Sequence, residues 1–346
     1  MSDFFRVFLR EDARKLGLGA ESGLFLGAFG KHPGWDDHIE EDERTPDLGL
    51  RTESLVRAKA LLYVQGIGNN INTGAWEKLD GARRLQGFNH FFLWQANEQF
   101  ILGRLWSSSD GKGRTRYPMV VAAHALRVPL SWALEFVVQR LERLHEQCAS
   151  TRNSVEVVAH LDQARRELRH DLAASRQSGP PLDLLARFAR DPQFGPGQEG
   201  LLRVLYQVQQ QCAAFAPGRF NPRQDTGHLR SQDLRVPAAG SNAKEVFITW
   251  TRLLRTQVDA ATPLLLLWPL GEPWLDLVLG EPAPEQLFCL CATTAQLPCV
   301  SKIPFNLDEA FRSKAQATLQ ALAQGKPPDS PNSTLTRFLG SLFKTR

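Results

Sequence analysis

Residues 264–268 read Leu-Leu-Leu-Leu-Trp between two prolines, and no other stretch restricts the fold of this chain as tightly. A run with no polar side has no face to offer water, so it reads as a strand covered on both faces. Residues 275–279, beyond the turn LGEPW, read as its neighbour. Further strands are expected early in the chain. GLFLGAF at 23–29 is a short apolar run closed by the turn-forming KHPGWDD. HFFLW at 90–94 and FILGRLW at 100–106 flank the polar turn QANEQ and read as a hairpin rich in aromatic and branched residues. Pro118 then opens MVVAAHAL, a strand in which proline takes the first position, where no ladder donor is needed.

Between these groups the period changes from two to three and four. Residues 53–66 carry Leu55, Ala58, Leu62 and Val64 near helical spacing, and the segment GIGNNINTG is expected to break that helix. Ala133, Phe136, Val137, Leu141, Leu144 and Cys148 mark a second helix, and Val157, Val158, Leu161, Ala164 and Leu168 a third behind the cap candidate Ser154. A fourth is expected over 200–215, followed by a loop over 217–239 rich in Gly, Pro, Arg and Asn. Ser241 or Asn242 caps a fifth, whose stripe is Val246, Phe247, Trp250, Leu253, Leu254 and Val258. Strands at both ends with helices between them predict an α/β fold: a mixed β-sheet with helices packed on its faces, plus a helical insertion. The expected division is 1–130 and 241–324 as the two parts of one α/β domain, 131–240 as the insertion, and 325–346 as a linker with a C-terminal amphipathic helix. In that helix Leu335, Phe338, Leu339, Leu342 and Phe343 share one face, with Arg337, Lys344 and Arg346 nearby. Three turns are too few to stand alone in water, so this segment must dock on something.

Composition narrows the function classes. A formal charge of +4 with 23% charged and 42% hydrophobic residues is that of an ordinary globular chain, which disfavours disorder and a highly charged nucleic-acid arm. The five cysteines are odd in number and unevenly spaced, so neither a disulfide framework nor a CxxC pair is built from them. No secretion signal is expected from the acidic start, and no apolar run approaches the roughly 20 residues of a transmembrane segment. A cytoplasmic location follows as the expectation. Gly30 and Lys31 look like the end of a phosphate-binding loop, but His32 and Phe25 stand where Ser/Thr and the first glycine belong. GIGNNI lacks the third glycine of a dinucleotide fingerprint. HExxH, GxSxG and a basic stretch interleaved with aromatics are missing from the sequence, so no zincin, hydrolase or nucleic-acid reading has an anchor. No cofactor is expected.

Two polar turns remain, each at the mouth of an expected strand, where ligand sites on α/β sheets tend to assemble. The first is Lys31, His32, Pro33, Gly34, Trp35, Asp36, Asp37, His38; the second runs from Ser107 to Pro118. Here the chain resembles TagF, an accessory and regulatory family of bacterial type VI secretion. That family has a strand followed by a pattern like GKxPxxGDF and later a pattern like SxDxxGR, an aromatic residue, proline, then Leu or Met. Gly30, Lys31, Pro33 and Asp37 match the first, with Asp36 in place of the glycine and His38 in place of the aromatic residue. Ser108, Asp110, Gly113, Arg114, Tyr117, Pro118 and Met119 match the second, with one extra residue between the arginine and the proline. The resemblance implies a non-enzymatic role: restraint of secretion after translation, through contact with a forkhead-associated scaffold protein.

From the residues themselves, the two turns are expected to be adjacent, with Asp37 or Asp110 pairing with Arg114. Such a network serves equally to bind a partner or to lock two loops together. Lys31, Asp36 and Asp37 belong to it, and Trp35 and Trp106 beside the turns are the expected anchors, in a partner interface or in the core. A rival reading is a metal-dependent hydrolase, in which His32, Asp36, Asp37, His38 and Glu40 supply ligands and Asp110 and His124 complete the site.

Overall fold

A computed structural model describes residues 23–35, 48–174, 184–195, 198–217 and 231–323 of the chain. Its centre is a seven-stranded sheet: β1 (Gly23–Gly30), β2 (Asn89–Ala96), β3 (Gln99–Ser107), β4 (Pro118–Leu126), β5 (Gln232–Pro237), β6 (Leu264–Pro269) and β7 (Trp274–Leu279). The order is β1-β4-β3-β2-β6-β7-β5, and every pairing is antiparallel. The apolar run at 264–268 is β6, near the middle of the sheet, and all six of its residues are buried. Fully burying each such leucine contributes about 1.5–3 kcal/mol, which is why this run sits where both faces are covered.

Alternate side chains divide between two cores. Phe91, Leu93, Leu102, Val121, Leu266 and Leu277 face one, together with the helices α3 (Leu130–Ser150), α4 (Ser154–Ala174), α6 (Glu199–Cys212) and α7 (Ala243–Arg255). Phe92, Trp94, Ile101, Val120, Leu265 and Val278 face the other. This second face is covered by α1 (Glu53–Ala58), a π-helical stretch (Lys59–Ile67), α2 (Gly68–Asn72) and a 3-10 segment (Pro284–Cys291). The remaining helices are α5 (Leu184–Ala189) and α8 (Glu309–Ala323). The fold is therefore α/β, with helices on both faces of the sheet, and among the described residues no helix is long and apolar enough to cross a membrane.

Three local expectations are corrected. The glycines of GIGNNI do not end the first helix, which continues through the π-helical stretch into α2. Gly66 is there for closeness: a Cβ on it would lie 2.1 Å from Leu287 Cδ1, so only glycine lets this helix approach the 3-10 segment. The expected loop over 217–239 contains β5, which the pattern hid because Asp233 and Arg235 interrupt its apolar residues. The cap of α4 is Asn153, one residue earlier than expected, whose Oδ1 accepts from Val155 N at 2.9 Å. Asn242 caps α7 through Glu245 N at 3.0 Å.

Arg235 and Asp276 explain each other. They stand opposite in the β5–β7 register and form a buried fork, Nε to Oδ1 at 2.7 Å and Nη2 to Oδ2 at 2.8 Å. Burial pushes the Asp276 carboxyl up to about 6, against the pull of Arg235. On β3, Arg104 is likewise buried and donates to Glu142, Asn89 and two backbone carbonyls.

Candidate functional site

The two polar turns leave the same end of the sheet, because β1 and the β3–β4 connection are neighbours: β1 pairs with β4 from Gly23↔Leu126 to Gly30↔Met119. Gly30 has φ +102°, and a Cβ there would lie 2.3 Å from Pro118 O. That approach lets Lys31 N donate to Pro118 O at 3.0 Å and turns the Lys31 side chain toward the second loop.

Asp110 joins the two segments. Its side chain is fully enclosed, and its two oxygens accept four donors. Oδ1 takes the backbone N–H groups of Lys112 at 3.0 Å and Arg114 at 2.9 Å, the pattern by which an aspartate closes its own turn. Oδ2 takes Lys31 Nζ at 2.7 Å and Arg114 Nε at 2.5 Å. Burial alone would raise this carboxyl; Lys31, the Arg114 amide and the Arg114 guanidinium overcome it and hold the group well below the usual carboxylate range. The Lys31 ammonium also lies 5.3 Å from the centroid of the Tyr117 ring, which in turn lies 5.4 Å from Tyr63. A backbone bond ties the loops again, Gly111 N to Trp35 O at 3.0 Å.

Of the expected site residues, the structure thus brings Lys31, Asp110 and Arg114 to one point, with Lys31 as the partner across the two segments among the described residues. Asp36, Asp37, His38 and Glu40 lie outside the described residues. Trp35 is half-buried, stacks on His32 at 4.6 Å and donates from Nε1 to Gly30 O at 3.0 Å. Trp106 is 5% exposed and packs against His145 beneath α3, so it serves the core and presents no surface to a partner. Arg114 is 43% exposed; Nε is spent on Asp110, and the two Nη nitrogens have no partner among the described residues.

His32 has both ring nitrogens committed. Nδ1 accepts from Gly34 N at 2.9 Å, so the proton sits on Nε2, which donates to Cys148 O at 2.9 Å. Burial lowers its pKa, the Cys148 carbonyl only partly opposing, and the ring stays neutral. Neither nitrogen keeps a lone pair for a metal. Of its expected co-ligands, the two among the described residues, Asp110 and His124, do not converge on it either. His124 lies on β4 six residues from Pro118, about 20 Å along the strand from the Asp110 turn. It is bonded to Thr52 and Gln99 at 3.0 Å each. Among the described residues no group of three or more His, Cys, Asp or Glu is arranged to hold a metal ion.

Tyr117, beside the Lys31 ammonium, and Tyr63, packed against Tyr117, are not among the site residues expected from the sequence, although Tyr117 is part of the second pattern. The signal available was aromatic character next to a charge at the strand mouth. Arg104 and Asp276 announced themselves better, each being a single charge inside an apolar strand, which requires a buried partner. Compared with known proteins, the chain matches no family model, no curated protein and no solved structure.

Proposed function

We propose that this chain is a non-enzymatic, cytoplasmic accessory protein of bacterial type VI secretion, TagF-like in kind, which restrains the system after translation by binding a protein partner. One observation carries the reading. The residues that match the two family patterns, far apart in sequence, meet in one small network: Lys31 on Asp110 across 79 residues, Lys31 over Tyr117, and Gly30 against Pro118. Patterns matched by chance have no reason to converge. In this network Asp110 is consumed internally, whereas Arg114 is braced by Asp110 and its exposed Nη edge, unpartnered among the described residues, stands beside the exposed Lys112 and Arg116. A guanidinium fixed at Nε and open at its fork suits a carboxylate on a protein partner.

The partner in this reading is a forkhead-associated scaffold protein of the secretion system. Titration calorimetry between the purified full-length chain and that scaffold tests it, together with Arg114→Glu. Binding that weakens at least tenfold in the variant, with secretion rising in a strain that carries it, is the expected result. No binding by the wild-type chain, with secretion unchanged when the gene is deleted, overturns the reading.

A further inference from the structure

A cleft of about 520 Å³ lies away from this rim, at the β5 side of the sheet. Its walls are apolar: Leu234 and Phe305 continue the helix-side core, Phe288 continues the opposite core, and Ile303 stands 36% exposed at the mouth. Its charge is one-sided. Among the described residues Arg235 is the single cation lining it, and that guanidinium is spent on Asp276 and on the carbonyls of Ala292, Leu297 and Cys289. Two exposed acids, Asp233 and Glu285, line the rim, Asp233 accepting from Gln286 Nε2 at 3.2 Å. An occupant that satisfies this cleft is apolar on one side and cationic beside it.

The chain carries such a segment. Residues 335–343 place Leu335, Phe338, Leu339, Leu342 and Phe343 at helical spacing, with Arg337, Lys344 and Arg346 around them. The segment lies outside the described residues, and as a three-turn helix it needs a surface to be stable. Reach permits the meeting. Phe305 lines the cleft, and Phe311 at the start of α8 packs on Tyr206, next to the cleft residue Gln207. From there α8 runs 15 residues, about 22 Å. The 12 residues from Ala323 to Leu335 span up to about 40 Å when extended, more than enough to come back whatever the direction of α8. By sequence, the prolines at 327, 328 and 331 disfavour a helix across that connection. A volume in the range of about 300–1,000 Å³ holds a few large side chains, not a whole helix, so the apolar face enters and the cations stay at the rim.

We infer that the C-terminal segment 334–346 docks in this cleft of its own chain, its apolar face against Leu234, Ile303 and Phe305 and its cations on Asp233 and Glu285. The inference stands apart from the secretion role and holds or fails without it.

Hydrogen exchange on the full-length protein tests it. In the wild type, amides of 335–343 and of 303–305 are protected. The tail variant Phe338→Asp with Leu342→Asp and the rim variant Asp233→Lys with Glu285→Lys each lower that protection at least tenfold, while α3 exchanges as before. Adding Arg337→Glu and Lys344→Glu to the rim variant restores it. Tail amides exchanging at unstructured-peptide rates in the wild type overturn the inference, as does protection indifferent to the rim variant. Protection that grows with protein concentration overturns it as well, because the tail would then be seated in a second copy.

Discussion

Replacing Asp110 by Asn is the sharpest perturbation of the rim. The amide keeps an oxygen where Oδ1 accepts the Lys112 and Arg114 amides, but its nitrogen faces Lys31 Nζ and Arg114 Nε, donors against donors. Arg114, 43% exposed, is resolvated and accounts for at most about 1 kcal/mol. Lys31 has a side chain only 3% exposed, so its ammonium loses the Asp110 charge inside the protein. Breaking a buried pair in this way costs about 3–5 kcal/mol. Lys31→Met is milder, about 1–3 kcal/mol, because Asp110 keeps Arg114 and both amides. Urea unfolding at pH 7, followed by the fluorescence of the chain's 8 tryptophans, reads both as shifts of midpoint at constant slope. An Asp110→Asn loss below about 1 kcal/mol, or a larger loss for Lys31→Met, would refute the view that Asp110 carries the junction.

Acid should weaken the protein from about pH 6.5 downward. Burial holds His90 and His124 at about 3 in the fold, so in this window the unfolded chain binds protons that the folded one refuses. Stability is complete above the unfolded value near 6.5 and falls by about 1.4 kcal/mol per histidine per pH unit below it; His32 adds in the same direction. Urea midpoints that stay flat from pH 7 to 5 would contradict this. Asp110, with its depressed pKa, adds its own loss only below about pH 4. Gly66→Ala should destabilise by about 1–3 kcal/mol through the clash with Leu287, measurable as a lower urea midpoint, whereas an exposed helical glycine would gain. Asp276→Ala leaves Arg235 buried without its carboxylate and should cost about 3–5 kcal/mol in the same assay; a change under 1 kcal/mol would mean that water reaches the guanidinium.

Much of the sheet was legible because its strands are buried on both faces and so carry few polar interruptions: β2, β3, β4, β6 and β7 all appear as mainly apolar runs bounded by turns. β5 was not, because its charge at 235 is neutralised by Asp276 on a strand 41 residues later, and a local pattern does not contain a long-range partner. The helix continuing through Gly66 and Gly68 failed for a related reason. Glycine has two uses, turning and close approach, and only the position of Leu287 decides between them. At the rim, charge at two strand mouths was readable and the Asp110–Arg114 contact is local, four residues apart. The choice of Lys31 as the cross-segment partner was not, since it follows from the antiparallel pairing of β1 with β4, which no spacing announces. Trp106 shows the limit most plainly: a tryptophan beside a polar turn belongs to the surface or to the core according to which face of β3 it takes.

A double-mutant cycle between Lys31→Met and Asp110→Asn addresses the junction of the two turns most directly, since it isolates one contact across 79 residues from everything else each substitution does. The account predicts that the double variant is more stable than the sum of the single losses requires, by about 2 kcal/mol or more. Additivity to within about 0.5 kcal/mol would mean that the two turns do not hold each other.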